Sequence, residues 1–304
     1  MARRVSLPSR GGVVVAFPGL KPATRDVRAP LAIVASNDAA GGVGARERSG
    51  PRRASPGTAA SRAGDGAPER RDPGALRIGG LTPFSSTDFP GKLAAVLFLQ
   101  GCPWRCGYCH NPHLRENEGT VRHDYAAFVG WLATRAGLLD AVVFSGGEPT
   151  AQAALPEAMR QIRARGFAIG LHTGGSYPRR LAEVLPLVDW VGLDVKAPMG
   201  GYGAVTGVTG SGIAANASVR LVVGSGVAHE VRTTVHFDLT PSDAMVALAD
   251  ELAAIGVGRW ILQPFRPTGG ADERLIAAAP RGARIDEGLL ARLRERVPGV
   301  EVRG

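Results

Sequence analysis

Only three cysteines occur in 304 residues, and all three fall between positions 102 and 109. Thiols crowded into one loop staple almost nothing together, and an odd number leaves one unpaired, so a disulfide framework is excluded and a reducing, cytoplasmic compartment is expected. Long apolar runs are missing as well. No stretch approaches the roughly 18 residues of a membrane-spanning helix, so no membrane partner is expected. Gly11–Phe17 is too short for one, and its flanks lack a signal-peptide cleavage pattern. Acidic residues are fewer than basic ones, 27 Asp+Glu against 36 Lys+Arg, for a net charge of +9. That excess is not a nucleic-acid signal once divided along the chain. Residues 1–75 hold 13 basic and 6 acidic residues, whereas the rest holds 23 and 21. The remainder is nearly neutral, so nucleic acid is not expected as a partner.

Residues 1–75 also lack aromatic side chains after Phe17, and Gly41-Gly42, Ser49-Gly50-Pro51 and Gly64-Asp65-Gly66 interrupt every period. Such a segment buries too little apolar surface to offset its ordering entropy, which predicts a disordered basic tail. A non-Met start downstream of Met1, a transit peptide (the first 24 residues are Arg-rich and acid-poor) and a nucleic-acid-binding arm are the other readings of it. Residues 76–304 form the expected folded domain.

From Leu76 the pattern alternates. Strands are expected at Arg77–Leu81, Leu93–Leu99, Asp140–Phe144, Ala168–Thr173, Trp190–Lys196, His229–Phe237, Arg259–Gln263 and Val300–Arg303. Helices are expected at Tyr125–Arg135, 152–165, Pro178–Val188, from Thr240-Pro241 to Ile255, and Asp286–Val297. Residues 200–218 read as irregular, and Val219–Val223 fits a helix or a strand equally well. Alternating strands and helices imply parallel βαβ units with right-handed crossovers. About six such units suit an incomplete barrel better than a flat doubly wound sheet, and in both the loops at the carboxyl ends of the strands carry the site.

Two segments with chemistry follow strands directly. Cys102-Pro-Trp-Arg-Cys106-Gly-Tyr-Cys109 offers three thiolates, which can hold a four-iron cluster while leaving one iron without a protein ligand. A structural zinc site made with His110 is the competing reading, although its ligands would all crowd one tight loop. Buried inert thiols are the third. Ser145-Gly146-Gly147-Glu148-Pro149 combines glycines, which allow close backbone approach, with a carboxylate able to pair with an ammonium. Asp194 and Lys196, two apart on a strand, share a face and could form a structural ion pair or contact a ligand. Arg232 on the next strand could contact a ligand or lie on the surface.

The cysteine loop, with Tyr108 just before its last cysteine, and the Gly146-Gly147-Glu148 segment resemble the radical S-adenosylmethionine (SAM) superfamily. Arg77-Ile-Gly-Gly-Leu, Asp88-Phe-Pro-Gly-Lys92, Gln100 through Pro112, Leu193-Asp-Val-Lys-Ala-Pro198, Arg232-Thr-Thr-Val235 and Gln263-Pro-Phe-Arg-Pro267 resemble the activating enzymes of anaerobic ribonucleotide reductase, a branch similar to pyruvate formate-lyase activases. The resemblance implies an α/β fold, a partial (β/α)6 barrel after the tail, with a [4Fe–4S] cluster on Cys102, Cys106 and Cys109. It implies SAM contacted by Tyr108, Gly146, Gly147, Glu148, Asp194, Lys196 and Arg232. The implied partners are a glycyl-radical enzyme, the large subunit of anaerobic ribonucleotide reductase, and a one-electron donor such as flavodoxin or ferredoxin. A radical SAM enzyme acting on a small molecule, similar to 7-carboxy-7-deazaguanine synthase, an activase of another glycyl-radical enzyme, and a zinc-bearing module with a nucleic-acid-binding tail are the alternatives. The chain departs from the activase pattern at His172-Thr-Gly-Gly175, where Asp-Thr-Asn-Gly is common, at His236-Phe-Asp-Leu-Thr240, where a Val-Pro-Gly turn is common, and at Arg266, where formate-lyase activases carry histidine.

Overall fold

The computed structural model describes residues 71–119, 122–267, 272–282 and 285–304. The tail expected at 1–75 therefore lies almost wholly outside the described residues. Eight strands form one sheet whose spatial order follows the chain: β1 (Ile78–Ser85), β2 (Ala94–Leu99), β3 (Ala141–Gly146), β4 (Ala168–Thr173), β5 (Trp190–Asp194), β6 (Ala228–Val235), β7 (Arg259–Pro264) and β8 (Gly299–Val302). Strand β1 is antiparallel to β2, and every later pairing is parallel. Right-handed crossovers between strands taken in sequential order put all helices on one face, which curls the sheet as a barrel rather than a doubly wound layer. Helices α1 (Tyr125–Ala133), α2 (Leu155–Arg163), α3 (Pro178–Val184), α4 (Tyr202–Thr206), α5 (Ser211–Gly224), α6 (Ser242–Ile255), α7 (Glu273–Gly282) and α8 (Glu287–Arg294) complete six βα units from β2 onward. This is the expected partial (β/α)6 barrel, with β1 and β8 as its two edges.

Local chemistry accounts for most boundaries. Asp124 caps α1 by accepting from Ala127 N, and Asp286 caps α8 by accepting from Leu289 N. Helix α2 buries Leu155, Met159 and Ile162 on one stripe, as their spacing predicts. Pro83 sits within β1, where a residue without an N–H is tolerated because β1 is an edge. Strand β1 runs four residues beyond its expected end, because pairing with β2 extends a sequence with little alternation of its own. The ambiguous Val219–Val223 is helical. It belongs to α5, a 14-residue helix that buries Ala215, Val219 and Val222. The glycines of 200–212 hid α4 and α5 from a pattern reading, and Gly212 serves packing: a Cβ there would collide with the Met199 carbonyl. Among the described residues no helix is long and apolar enough to cross a membrane.

The apolar interior has two layers. A large cluster between sheet and helices includes Leu97, Val142, Phe144, Leu171, Leu193, Val231 and Trp260. A smaller one, Phe89, Ala94, Val96, Ala141, Val143 and Trp190, fills the inside of the barrel at its amino-terminal end. Phe89 enters from the β1–β2 connection, stacks at 5.5 Å and 34° on Trp190 and occupies the space above Gly170, where a Cβ would lie 3.0 Å from its ring. The segment between β1 and β2 thus plugs the barrel and leaves only its upper end open. Phe89→Ala should leave a void among rigid strands and lower stability by about 3 kcal/mol. Urea denaturation of the full chain measures it; a loss under about 1 kcal/mol would mean that the plug contributes little.

Candidate functional site

The cysteine loop leaves the carboxyl end of β2 and is bound back to it by main-chain bonds. Gly101 N donates to Leu114 O at 2.8 Å and Cys102 N to Arg115 O at 2.9 Å, so residues 101–102 run beside 114–115. Gln152 ties this pair to the barrel, its Nε2 donating to Gln100 O (2.9 Å) and Arg77 O (3.0 Å) while its Oε1 accepts from Arg77 N (2.8 Å). Cys109 N donates to Cys106 O at 3.2 Å, closing the Cys106–Cys109 turn, and Arg105 N reaches Thr206 O on α4 at 2.8 Å. All three cysteines are free. Burial pushes the Cys102 thiol up to about 11, and burial likewise raises that of Cys106. Such thiols resist ionisation until a metal takes the place of the proton.

The Gly146-Gly147 pair approaches backbone, and that backbone belongs to the cysteine loop. Gly146 adopts φ +111°, and a Cβ on it would collide with Leu99 main-chain atoms; one on Gly147 would collide with Gly101 O. Gly147 N donates to Leu99 O and Glu148 N to Gly101 O, both at 2.8 Å. Glu148 is 2% exposed, and both its carboxylate oxygens are engaged. Oε1 accepts from Thr150 N (3.0 Å) and Thr150 Oγ1 (2.6 Å), Oε2 accepts from Gly174 N (3.0 Å), and Thr173 Oγ1 is shared between them at 2.7 and 2.9 Å. The carboxylate expected to be able to pair with an ammonium fastens its own segment to the end of β4. The sequence could not show this, because Thr173 and Gly174 lie a strand away.

Inside the barrel, Asp194, Arg232 and His172 meet on β5, β6 and β4. The expected ion-pair alternative joined Asp194 to Lys196. The structure gives Asp194 to Arg232 instead, with Arg232 Nε donating to Asp194 Oδ1 at 3.0 Å and Nη2 to Gly192 O at 3.3 Å. Arg232 is not a surface arginine: its side chain is 12% exposed, and its guanidinium fills the space that a Cβ on Gly192 would need. Burial would raise the Asp194 carboxyl, but Arg232 and then Lys196 outweigh it and hold it below its ordinary range. His172 figured in the sequence reading as a departure from the activase pattern, not as a site residue. Its Nε2 lies 2.8 Å from Asp88 O and 3.4 Å from Arg232 Nη1; the shorter contact, to an atom that only accepts, favours the proton on Nε2, with Nδ1 facing Ser145 Oγ at 3.4 Å. Burial first, and Arg232 second, push its pKa down to about 4. A neutral imidazole thus joins the plug segment at Asp88 to the residue preceding the glycine pair. Its inward position on β4 was the available signal.

Lys196 lies just past β5 against the cysteine loop, its Nζ 5.5 Å from the ring centroid of Tyr108 and 5.7 Å from that of Trp104. Trp104 packs on Gly174, where a Cβ would meet its ring at 2.5 Å, and against Tyr202 at 5.9 Å and 65°. Over Asp194 and Arg232 opens a cavity of about 570 Å³, lined also by Asp88, His172, Arg266 and, from the end of the cysteine loop, His110. The structure therefore brings the cysteine loop, the glycine segment, Asp194, Lys196 and Arg232 to one rim.

The donor set suits a cluster better than a single ion. A cluster gives each thiolate its own iron and needs no fourth protein ligand, whereas a single zinc on this loop would need one. His110, the fourth ligand a zinc site would need, is stacked on Phe265 at 6.1 Å and 10°.

Residues 96–211 match the family model described as the radical SAM superfamily. A Methanocaldococcus jannaschii protein named as a glycyl-radical enzyme activating enzyme is 35% identical over 41% of this chain and 52% of its own length. The pyruvate formate-lyase-activating enzyme of Clostridium pasteurianum is 31% identical over 43% of this chain and 57% of its own. The 7-carboxy-7-deazaguanine synthase of Methanopyrus kandleri is 31% identical over 37% and 53%. The chain spans about half the length of these relatives. In fold it is similar to the crystal structure of Streptococcus suis SuiB bound to its precursor peptide SuiA, with a TM-score of 0.51 and 13% identity over 67% of this chain and 46% of that one.

The depressed His172 pKa has a measurable consequence. Its folded value lies below the ordinary histidine value of about 6.5, so the unfolded chain takes up the proton first as pH falls. The stabilisation is complete above about pH 6.5 and is lost progressively towards pH 4. Urea midpoints of the wild type should therefore fall more steeply between pH 7 and 5 than those of His172→Gln; parallel pH profiles would show that His172 is not held neutral.

Proposed function

We propose that this chain, a radical SAM superfamily protein, is an activase that generates a glycyl radical on anaerobic ribonucleotide reductase. Members of the superfamily use a [4Fe–4S] cluster and SAM. The observation that carries the reading is the convergence at one open rim of three free cysteines, a glycine segment hydrogen-bonded to their loop, and charged side chains facing a cavity. When bound, the cluster and SAM supply one-electron cleavage of the sulfonium and a 5′-deoxyadenosyl radical able to take hydrogen from a glycine Cα.

The residues of the chain bind, orient and shield. Cys102, Cys106 and Cys109 would hold the cluster, and SAM would bind beside it through its amino and carboxylate groups. Gly146 and Gly147 set the backbone against the cysteine loop, where the methionine end of SAM would bind, and Glu148 holds their segment rigid through Thr150, Thr173 and Gly174. Asp194, Lys196 and Arg232 offer paired charge to the remaining polar groups of SAM, and Tyr108 borders the adenine. Keeping water from the reacting carbon falls to the plugged barrel. The incomplete barrel leaves a mouth through which a partner's glycine loop can enter. The electron the cluster would need would come from an external one-electron donor, flavodoxin or ferredoxin, in a cytoplasmic setting. A second reading is supported by the Methanopyrus relative, whose name describes a small-molecule synthase matched at the same level of identity as the Clostridium activase.

Anaerobically reconstituted protein, given reductant and SAM, should form 5′-deoxyadenosine, and Cys106→Ala should form none. With the ribonucleotide reductase large subunit present, a glycyl-radical EPR signal should appear. Cleavage without any such signal, on an intact large subunit, would overturn this choice of partner and favour a small-molecule substrate.

A further inference from the structure

Lys196 makes no direct ion pair among the described side chains: the neighbouring Asp194, whose charge acts on it from beyond contact distance, is taken by Arg232 at 3.0 Å. What it does contact is aromatic: the faces of Tyr108 at 5.5 Å and Trp104 at 5.7 Å, both residues of the cysteine loop and each two positions from Cys106. The position is held from several sides. Lys196 N donates to Tyr202 Oη at 3.0 Å, Tyr202 packs edge-on to Trp104, and Gly174 leaves room for the Trp104 ring. A half-buried ammonium gains from a nearby negative charge, and two ring quadrupoles supply only part of that gain. A four-iron cluster on three thiolates carries net negative charge and becomes one unit more negative on reduction.

We propose that Lys196 is the built-in counter-cation of the cluster, held against the cysteine loop by Trp104 and Tyr108, and that it raises the reduction potential before SAM binds. The inference rests on the cluster assignment above and goes beyond it by giving Lys196 a task independent of SAM. In the reduction the cluster takes one electron from the external donor, and no bond in the protein is made or broken. A fixed positive charge stabilises the more negative reduced form more than the oxidised one, so it eases electron entry. Lys196 is a positioning residue in this role, since it acts on the cluster through space.

The test is an anaerobic redox titration of the reconstituted full chain without SAM, read by EPR of the reduced cluster. Lys196→Met and Lys196→Gln should lower the ratio of reduced to oxidised cluster at a fixed potential about tenfold, a midpoint shift of about 59 mV for a one-electron couple. Lys196→Arg, which keeps the charge, should stay near the wild type. Unchanged midpoints in the neutral variants, with full iron and sulfide content, would overturn the proposal, and weakened SAM binding as the sole defect would reduce Lys196 to a cofactor contact. If the neutral variants fail to take up iron while Lys196→Arg succeeds, the charge requirement is upheld at the assembly step. Failure of all three overturns it. A wild type that takes up no cluster at all would instead sink the cluster assignment.

Discussion

Everything at this site depends on the closeness of two backbones. The loop leaving β2 and the turn leaving β3 meet through Gly147 N to Leu99 O and Glu148 N to Gly101 O, at a separation that a side chain on either glycine would forbid. That contact fixes the cysteine loop relative to the glycine segment, and so fixes where a cluster would stand relative to the groups that would hold SAM. The remaining bonds serve it. Gln152 pins the loop from below, Glu148 anchors the turn to β4, and Arg105 attaches the far side of the loop to α4.

The barrel interior is divided between an apolar floor and a charged ceiling. Phe89 and Trp190 close the floor, while Asp88, His172, Asp194 and Arg232 begin the ceiling directly above. Holding a buried guanidinium against a half-exposed carboxylate beside a neutral imidazole is tolerable because each has a partner in place. The consequence is a rim of preset dipoles and charges around an open mouth. Lys196 adds its charge to this network from the cysteine side, and its contact with the rings of the cysteine loop is what suggests a further task for it.

Much of this was legible in the sequence because it is local. Cysteine spacing, the Gly-Gly-Glu segment after a strand, and the strand–helix alternation each depend on residues close together in the chain. What escaped depends on contacts across the sheet. His172 looks like an ordinary strand residue until Asp88, 84 positions away, is seen to accept from it. Glu148 looks like a free carboxylate until β4 supplies Thr173 and Gly174. Arg232 was balanced between ligand contact and surface, and only the small neighbour Gly192 makes room for it inside. Helices α4 and α5 were hidden because glycine-rich helices are held by tertiary packing rather than by propensity.

The central claim is that three thiolates on one loop hold a cluster with one iron left for SAM. Metal and acid-labile sulfide analysis of the anaerobically purified full chain, followed by EPR of the reduced protein with and without SAM, tests it most directly. About four irons and four sulfides per chain, with a spectrum that changes on adding SAM, is the result the account predicts. About one zinc with no sulfide, or a cluster whose spectrum is indifferent to SAM, would contradict it.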